Sequence, residues 1–161
     1  MTALLARLDA QLDRIPHDLI AALARLGIGT TFLRSGLLKL DGWADGTTLA
    51  LFRDEYRLPL LPPDLAAPLA MGMELSMPVL LFLGLLTRPA ALILLGMTAV
   101  IEIFVYPNAF DTHAVWAVAL LYLAKFGPGT LSLDALFTRG RSAAAPGSHP
   151  RPAAPAPRPV R

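Results

Sequence analysis

The sequence predicts an all-α membrane protein: a bundle of four transmembrane helices with both termini on the cytoplasmic side. Of the 161 residues, 55% are hydrophobic and only 16% are charged, whereas soluble domains average about 25% charged residues. The apolar residues are concentrated in four long stretches, and the arginines are distributed unevenly among the segments between and beyond them. Together, these patterns favour one membrane-embedded domain.

Composition also excludes several kinds of chemistry. The chain contains no cysteine, which excludes dithiol exchange, thiolate metal sites and iron–sulfur clusters bound by this chain. Its formal net charge is +2 and its isoelectric point is about 9.4. Much of the positive excess lies in the last few dozen residues, so the charge predicts no nucleic-acid partner.

Residues 1–18 are predicted to form an amphipathic lead-in helix at the membrane surface. Apolar side chains recur there at intervals of three and four residues, namely Leu5, Leu8, Leu12, Ile15 and Leu19. Such spacing brings them to one helical face. Packing of this helix on a soluble partner is the alternative interpretation.

Residues 19–137 are predicted to form the bundle. A helix needs about 20 residues to cross the hydrocarbon core, and stretches near this length predict spans at about 19–40, 65–86, 90–106 and 112–126. The turn Thr87-Arg88-Pro89 is so short that the second and third spans form an antiparallel hairpin. Gly127-Pro128-Gly129 ends the fourth span. Residues 138–161, rich in Ala, Pro and Arg, predict a disordered cytoplasmic tail.

The 41–64 connection contains a short amphipathic pattern, in which Leu49, Phe52 and Tyr56 share a face. It predicts a helix on the outer surface of the bundle. Two interpretations remain open: a lid over the bundle, or a helix that merely shields the backbone of the loop.

The orientation follows from the arginines, because cytoplasmic segments retain Lys and Arg. The lead-in, the 87–89 turn and the tail all carry arginine, whereas the 41–64 connection is acidic on balance and residues 107–112 contain neither Lys nor Arg. Both termini are therefore predicted to be cytoplasmic.

Ionisable side chains inside the predicted spans are the candidate functional residues. Those within or at the rim of the spans are Arg25, Arg34, Lys39, Glu74, Glu102 and His113. A charge at mid-bilayer costs about 2.5–3.5 kcal/mol on insertion scales, so such groups normally face the bundle and pair. All except Arg25 are predicted to lie in the outer half, where Glu74 is expected to have a cation within reach, either Lys39 or Arg34.

The first span shows which of its faces points inward. Intervals of four, three, four and three residues separate Arg25, Gly29, Phe32, Gly36 and Lys39. Glycines on one face allow another helix to approach closely, so this face is predicted to pack in the bundle. Arg34 lies on a different face and is expected to meet another helix or another subunit.

Three interpretations of the charges remain open: ion pairs that hold the bundle together, a pocket for a quinone-like headgroup, and a proton or ion path. No metal site is predicted, because His113 is the single histidine in the predicted spans and no Glu-x-x-His pair is present. No nucleophile–base pair or phosphate loop is visible, so the sequence shows no self-contained catalytic machinery.

Several short segments follow one another in a recognisable order. They are Arg25-Leu26-Gly27, Ser35-Gly36-Leu37-Leu38-Lys39-Leu40, Glu74, Gly84-Leu85-Leu86-Thr87-Arg88 and the ending Gly127-Pro128-Gly129-Thr130-Leu131-Ser132-Leu133-Asp134-Ala135-Leu136. In this order and spacing they resemble the DoxX family of small bacterial membrane proteins. The resemblance covers about residues 20–137. It implies a four-helix bundle in the bacterial cytoplasmic membrane.

The same resemblance implies a relationship to the quinone-reducing subunit of thiosulfate oxidation and to membrane-associated oxidoreductase complexes. The implied function is a component of a membrane redox system that binds quinone non-covalently, with a redox partner protein or a homo-oligomer. A non-enzymatic structural or assembly subunit is the alternative. The recurrent polar positions of the family map to Arg25, Lys39 and Glu74. Arg34 departs from the pattern, and Glu102 is the expected partner of Arg34.

The predicted topology can be tested with reporter fusions. Reporters after residue 140 and in the 87–89 turn are expected to report the cytoplasm, and a reporter near residue 47 the outside. If the reporters near residue 47 and in the tail were on the same side of the membrane, the prediction of four spans would be wrong.

Overall fold

Helices account for most of the chain. A computed structural model describes residues 2–143, and within this range no β-strand is present. The α-helices are, in chain order, α1 (Thr2–Leu12), α2 (His17–Asp41), α3 (Thr47–Ala50), α4 (Pro63–Leu83), α5 (Thr87–Val100), α6 (Phe110–Phe126) and α7 (Leu133–Ala143). Two π-helical segments, Leu51–Tyr56 and Ile101–Val105, directly continue α3 and α5.

The four predicted spans coincide with α2, α4, α5 (with its π-helical continuation) and α6. In the bundle, α2 packs on α4 and α6, and α5 packs on α4 and α6, so the four helices form a closed ring. Two segments, Pro63–Leu83 and Thr87–Val105, are long and apolar enough to cross a membrane. The other two bundle helices are less typical of spans. Helix α6 has 17 residues, and α2 carries three cationic side chains along its 25 residues.

The inward stripe predicted for α2 is confirmed. All its members, Arg25, Gly29, Phe32, Gly36 and Lys39, are buried. A Cβ atom at Gly36 would lie 2.9 Å from the carbonyl carbon of Glu74, a separation too short for real Cβ atoms. The backbones of α2 and α4 therefore approach as closely as they do because residue 36 is glycine.

The exterior of the bundle, which faces away from its core, is apolar. Large hydrophobic side chains that stay exposed on the four bundle helices include Leu23, Leu26, Leu38, Leu69, Leu83, Leu92, Val115, Val118 and Leu121. The buried core consists mainly of aliphatic and small residues, among them Ile28, Leu81 and Leu94. Soluble proteins of this size rarely expose such extensive apolar surface, so these faces require contact with lipid or protein.

The 41–64 connection packs onto one end of the bundle. Helix α3 and its π-helical continuation place Phe52 against Ala66 and Ala67 of α4, and these three residues form a second buried cluster. Arg57 ends the segment in a left-handed conformation, with φ of 43°. The helix predicted here from the sequence is therefore present, and it covers the start of α4.

Part of the segment predicted to be disordered is helical. Helix α7 continues through Ala143, whereas the sequence predicts disorder from residue 138. A helical apolar pattern includes Leu133, Leu136 and Phe137. The high content of Ala, Pro and Arg in the tail obscured this pattern in the sequence. The remaining tail, 144–161, lies outside the described residues.

Gly36→Ala is expected to destabilise the bundle by about 1–3 kcal/mol, because the added methyl group overlaps the backbone of Glu74. Gly27→Ala is the matched control, since a Cβ atom there meets nothing within 4 Å. Thermal unfolding in detergent measures both variants. Equal midpoints for the two would show that α2 and α4 are not in close contact.

Candidate functional site

Lys39 and Glu74 form a buried ion pair between α2 and α4. The Lys39 Nζ atom lies 2.7 Å from Glu74 Oε2 and 2.9 Å from Oε1. Nζ also donates to the Ser35 hydroxyl at 2.9 Å, and that hydroxyl donates to Glu74 Oε1 at 3.2 Å. The cation predicted beside Glu74 is therefore present, and it is Lys39. The sequence analysis missed Ser35, although its position one turn before Lys39 on the same helix was a usable signal.

A second pair joins α5 and α6. The Nδ1 atom of His113 lies 2.5 Å from Glu102 Oε2, and the His113 ring lies 5.0 Å from the Trp116 ring. Glu102 belongs to the π-helical segment Ile101–Val105. π-helical turns are rare and frequently occur at functional sites, and here the segment carries the carboxylate that contacts His113.

The predicted pairing of Arg34 with Glu102 is wrong. Arg34 is exposed on α2, whereas Glu102 contacts His113. Arg34 follows the buried Phe32 by two residues, which places it on the opposite side of α2. It therefore points away from the buried stripe. Arg34 is not brought to the other charged residues.

A cavity of about 500 Å³ lies beside both pairs. Its wall includes Ser35, Lys39, Glu74 and His113, together with apolar and aromatic side chains such as Phe32, Phe52, Tyr56, Met73, Met97 and Trp116. Burial raises the pKa of the Tyr56 phenol in the outer connection, so this hydroxyl stays protonated. Volume, apolar walls and a few convergent polar groups are the usual properties of a small-molecule pocket.

Arg25 lies apart from this cavity, beside the end of α4 and the segment that follows α6. Its guanidinium donates to the carbonyl oxygens of Leu131, at 2.8 Å, and of Leu81, at 3.4 Å. Arg25 is buried, as predicted, but it binds backbone rather than a carboxylate. Of the six candidate residues, the structure therefore brings together Lys39, Glu74, Glu102 and His113, and separates Arg25 and Arg34 from them.

The segment after α6 is attached to the bundle by two carboxylates. Asp134 accepts hydrogen bonds from the backbone N–H groups of Leu86, at 2.9 Å, and Thr87, at 3.1 Å, and so caps α5. Asp18 at the start of α2 accepts from the N–H of Thr130 at 2.6 Å. The motif at 127–136 therefore fastens α2, α5 and α6 to one another.

No three His, Asp or Glu side chains come together within the described range in a way that could hold a metal ion. The His113–Glu102 pair has no third potential ligand beside it in residues 2–143. The site is thus built from two charge pairs and an apolar wall.

A helical bundle with an apolar exterior and paired charges inside is typical of integral membrane proteins. The family model of DoxX matches residues 20–107 of this chain. An uncharacterized protein of Haemophilus influenzae is 31% identical over 144 aligned positions, and the match covers 81% of this chain and 91% of that protein. No solved structure matches. The chain belongs to the DoxX family and is a membrane protein.

Lys39→Met is expected to destabilise the protein by roughly 3–5 kcal/mol, because it leaves the Glu74 carboxylate buried without its cation. Adding Glu74→Leu removes the second charge and is expected to restore much of the loss. Arg34→Met is the matched control on the same helix, since Arg34 is exposed. Thermal unfolding in detergent distinguishes them. A double variant no more stable than Lys39→Met would show that charge pairing does not determine stability here.

Proposed function

We propose that α2, α4, α5 and α6 all cross the bacterial cytoplasmic membrane, with both termini inside. Two of these segments have the length and hydropathy of spans, and the other two pack beside them in the same ring. Pairing of Lys39 with Glu74 removes the net charge that would otherwise oppose insertion of α2. Arginines in the lead-in, the 87–89 turn and the tail support the orientation.

In this arrangement α1 lies along the inner surface of the membrane. Its leucines at positions 4, 5, 8 and 12 are exposed, and they need an apolar partner. The headgroup–acyl boundary supplies one for an amphipathic helix that precedes the first span.

The cavity binds a quinone-like molecule from the lipid phase, and the protein acts as a component of a membrane redox system. The observation that carries this proposal is the combination of apolar walls with the polar side chains of Lys39, Glu74 and His113 in one cavity of about 500 Å³. Leu69 of α4 and Ile93 of α5 both line the cavity and are exposed on the bundle surface. A lipid-soluble ligand can therefore enter sideways from the membrane.

Electrons for such a system come from a partner protein, since the chain has no cysteine and no self-contained catalytic machinery is visible in its sequence. Arg34 supports a protein partner or a second subunit on the outer face of α2. An exposed guanidinium within a span is costly in lipid, and a carboxylate from a neighbouring chain would offset that cost.

A non-enzymatic structural or assembly subunit is the second candidate function. Arg25 and Asp134 favour it, because their hydrogen bonds are directed to backbone groups and serve packing alone. In that case the Lys39–Glu74 pair is part of the same packing, and the cavity holds lipid acyl chains.

Tryptophan fluorescence tests quinone binding, because the chain has two tryptophans and Trp116 lines the cavity. In the Trp43→Phe variant, decylubiquinone is expected to quench Trp116 saturably. Trp116→Phe is the matched control, which leaves the exposed Trp43 and is expected to show weak, non-saturating quenching. Identical linear quenching in both variants would favour the structural function.

A further inference from the structure

Two polar pairs border the cavity from different sides of the bundle. Lys39 and Glu74 belong to α2 and α4, whereas His113 and Glu102 belong to α6 and the continuation of α5. Because the helices form the ring α2–α4–α5–α6, these two helix pairs make opposite walls. A ligand between them meets one polar group at each end.

The lysine side offers one donor. An ammonium group has three N–H bonds. In this structure Lys39 Nζ donates to Ser35 Oγ and to Glu74 Oε1, with Oε2 also close. The two Glu74 oxygens can share one N–H of Lys39, which leaves the third N–H for a ligand acceptor in the cavity that Lys39 lines.

The histidine side offers a second donor. The His113 ring is 5% exposed and lines the cavity. Its Nδ1 atom contacts Glu102, so Nε2 is the ring nitrogen that Glu102 does not engage. Nε2 carries a hydrogen when the ring is doubly protonated, and also when Glu102 holds the proton that it shares with Nδ1.

Aromatic side chains lie beside these donors. Phe32 and Trp116 pack edge to face with centroids 5.6 Å apart, and Trp116 also contacts the His113 ring. Both line the cavity. A flat ring therefore finds aromatic contacts in the cavity.

We propose that the cavity recognises a ring with two opposed carbonyl groups. Lys39 Nζ donates to one carbonyl oxygen, and His113 Nε2 donates to the other. This assignment rests on the proposed function, which it deepens by specifying the atoms that bind each end of the ligand. Glu74 and Glu102 are the carboxylate partners of the two donors.

Infrared difference spectra test the assignment, because a hydrogen bond lowers the stretching frequency of a carbonyl group. The probe is decylubiquinone labelled with ¹³C at one carbonyl or at the other, bound to the full-length protein. Wild type is expected to show both carbonyl bands lowered. His113→Phe is expected to return one band to its unbound frequency, and Lys39→Met with Glu74→Leu to return the other. Each variant is expected to bind about threefold to tenfold more weakly.

His113→Gln keeps an N–H donor and serves as the matched control for His113→Phe. It is expected to retain a lowered band at the same carbonyl, with a smaller shift. Thermal unfolding verifies that each variant is folded before its spectrum is compared.

The outcomes separate the two proposals. Saturable quinone binding with band shifts unchanged in His113→Phe overturns the assignment and leaves the proposed function intact. Loss of both shifts in His113→Phe also overturns it, since one residue would then bind both ends. Absence of any bound-quinone spectrum in wild type overturns the proposed function, and the assignment with it.

Discussion

Lys39 and Glu74 carry opposite charges inside an apolar bundle, and the packing of α2 on α4 depends on keeping them together. Removing either group would leave the other as a buried, uncompensated charge, which costs several kcal/mol. The two atoms that matter, Nζ and Oε2, lie 2.7 Å apart. That distance requires close backbones, and Gly36 makes the approach possible because its missing side chain leaves room for the backbone of Glu74.

The two ends of the bundle are built differently. At one end, Arg25, Asp18 and Asp134 tie helix termini together through hydrogen bonds to the backbone. Gly84 belongs to this end, since a Cβ atom there would lie 2.5 Å from the Arg25 guanidinium. At the other end, the charge pairs leave a cavity between the helices. One end of the bundle is therefore closed by hydrogen bonds, whereas the other contains the cavity.

Both π-helical segments contribute to the open end. One supplies Phe52 and Tyr56 to the cavity wall, and the other carries Glu102, which contacts His113. The Tyr106 hydroxyl, just after the second segment, donates to the carboxylate of Glu55 in the first. The 41–64 connection is thereby fastened to the end of the helix that α5 begins, beside the cavity. This position agrees with both sequence-based interpretations of the connection, the lid and the shield.

The sequence alone determined the four bundle helices, the buried stripe of α2 and the presence of a cation beside Glu74. These features follow from the length of apolar runs and from helical periodicity, which are properties of neighbouring residues. Only the tertiary structure decided that Glu102 meets His113 rather than Arg34, and that Arg25 binds the backbone of the 127–136 motif. Those contacts depend on which helices are neighbours in the ring and on which residues of those neighbours lie at the same level. The periodicity of a single helix does not encode either.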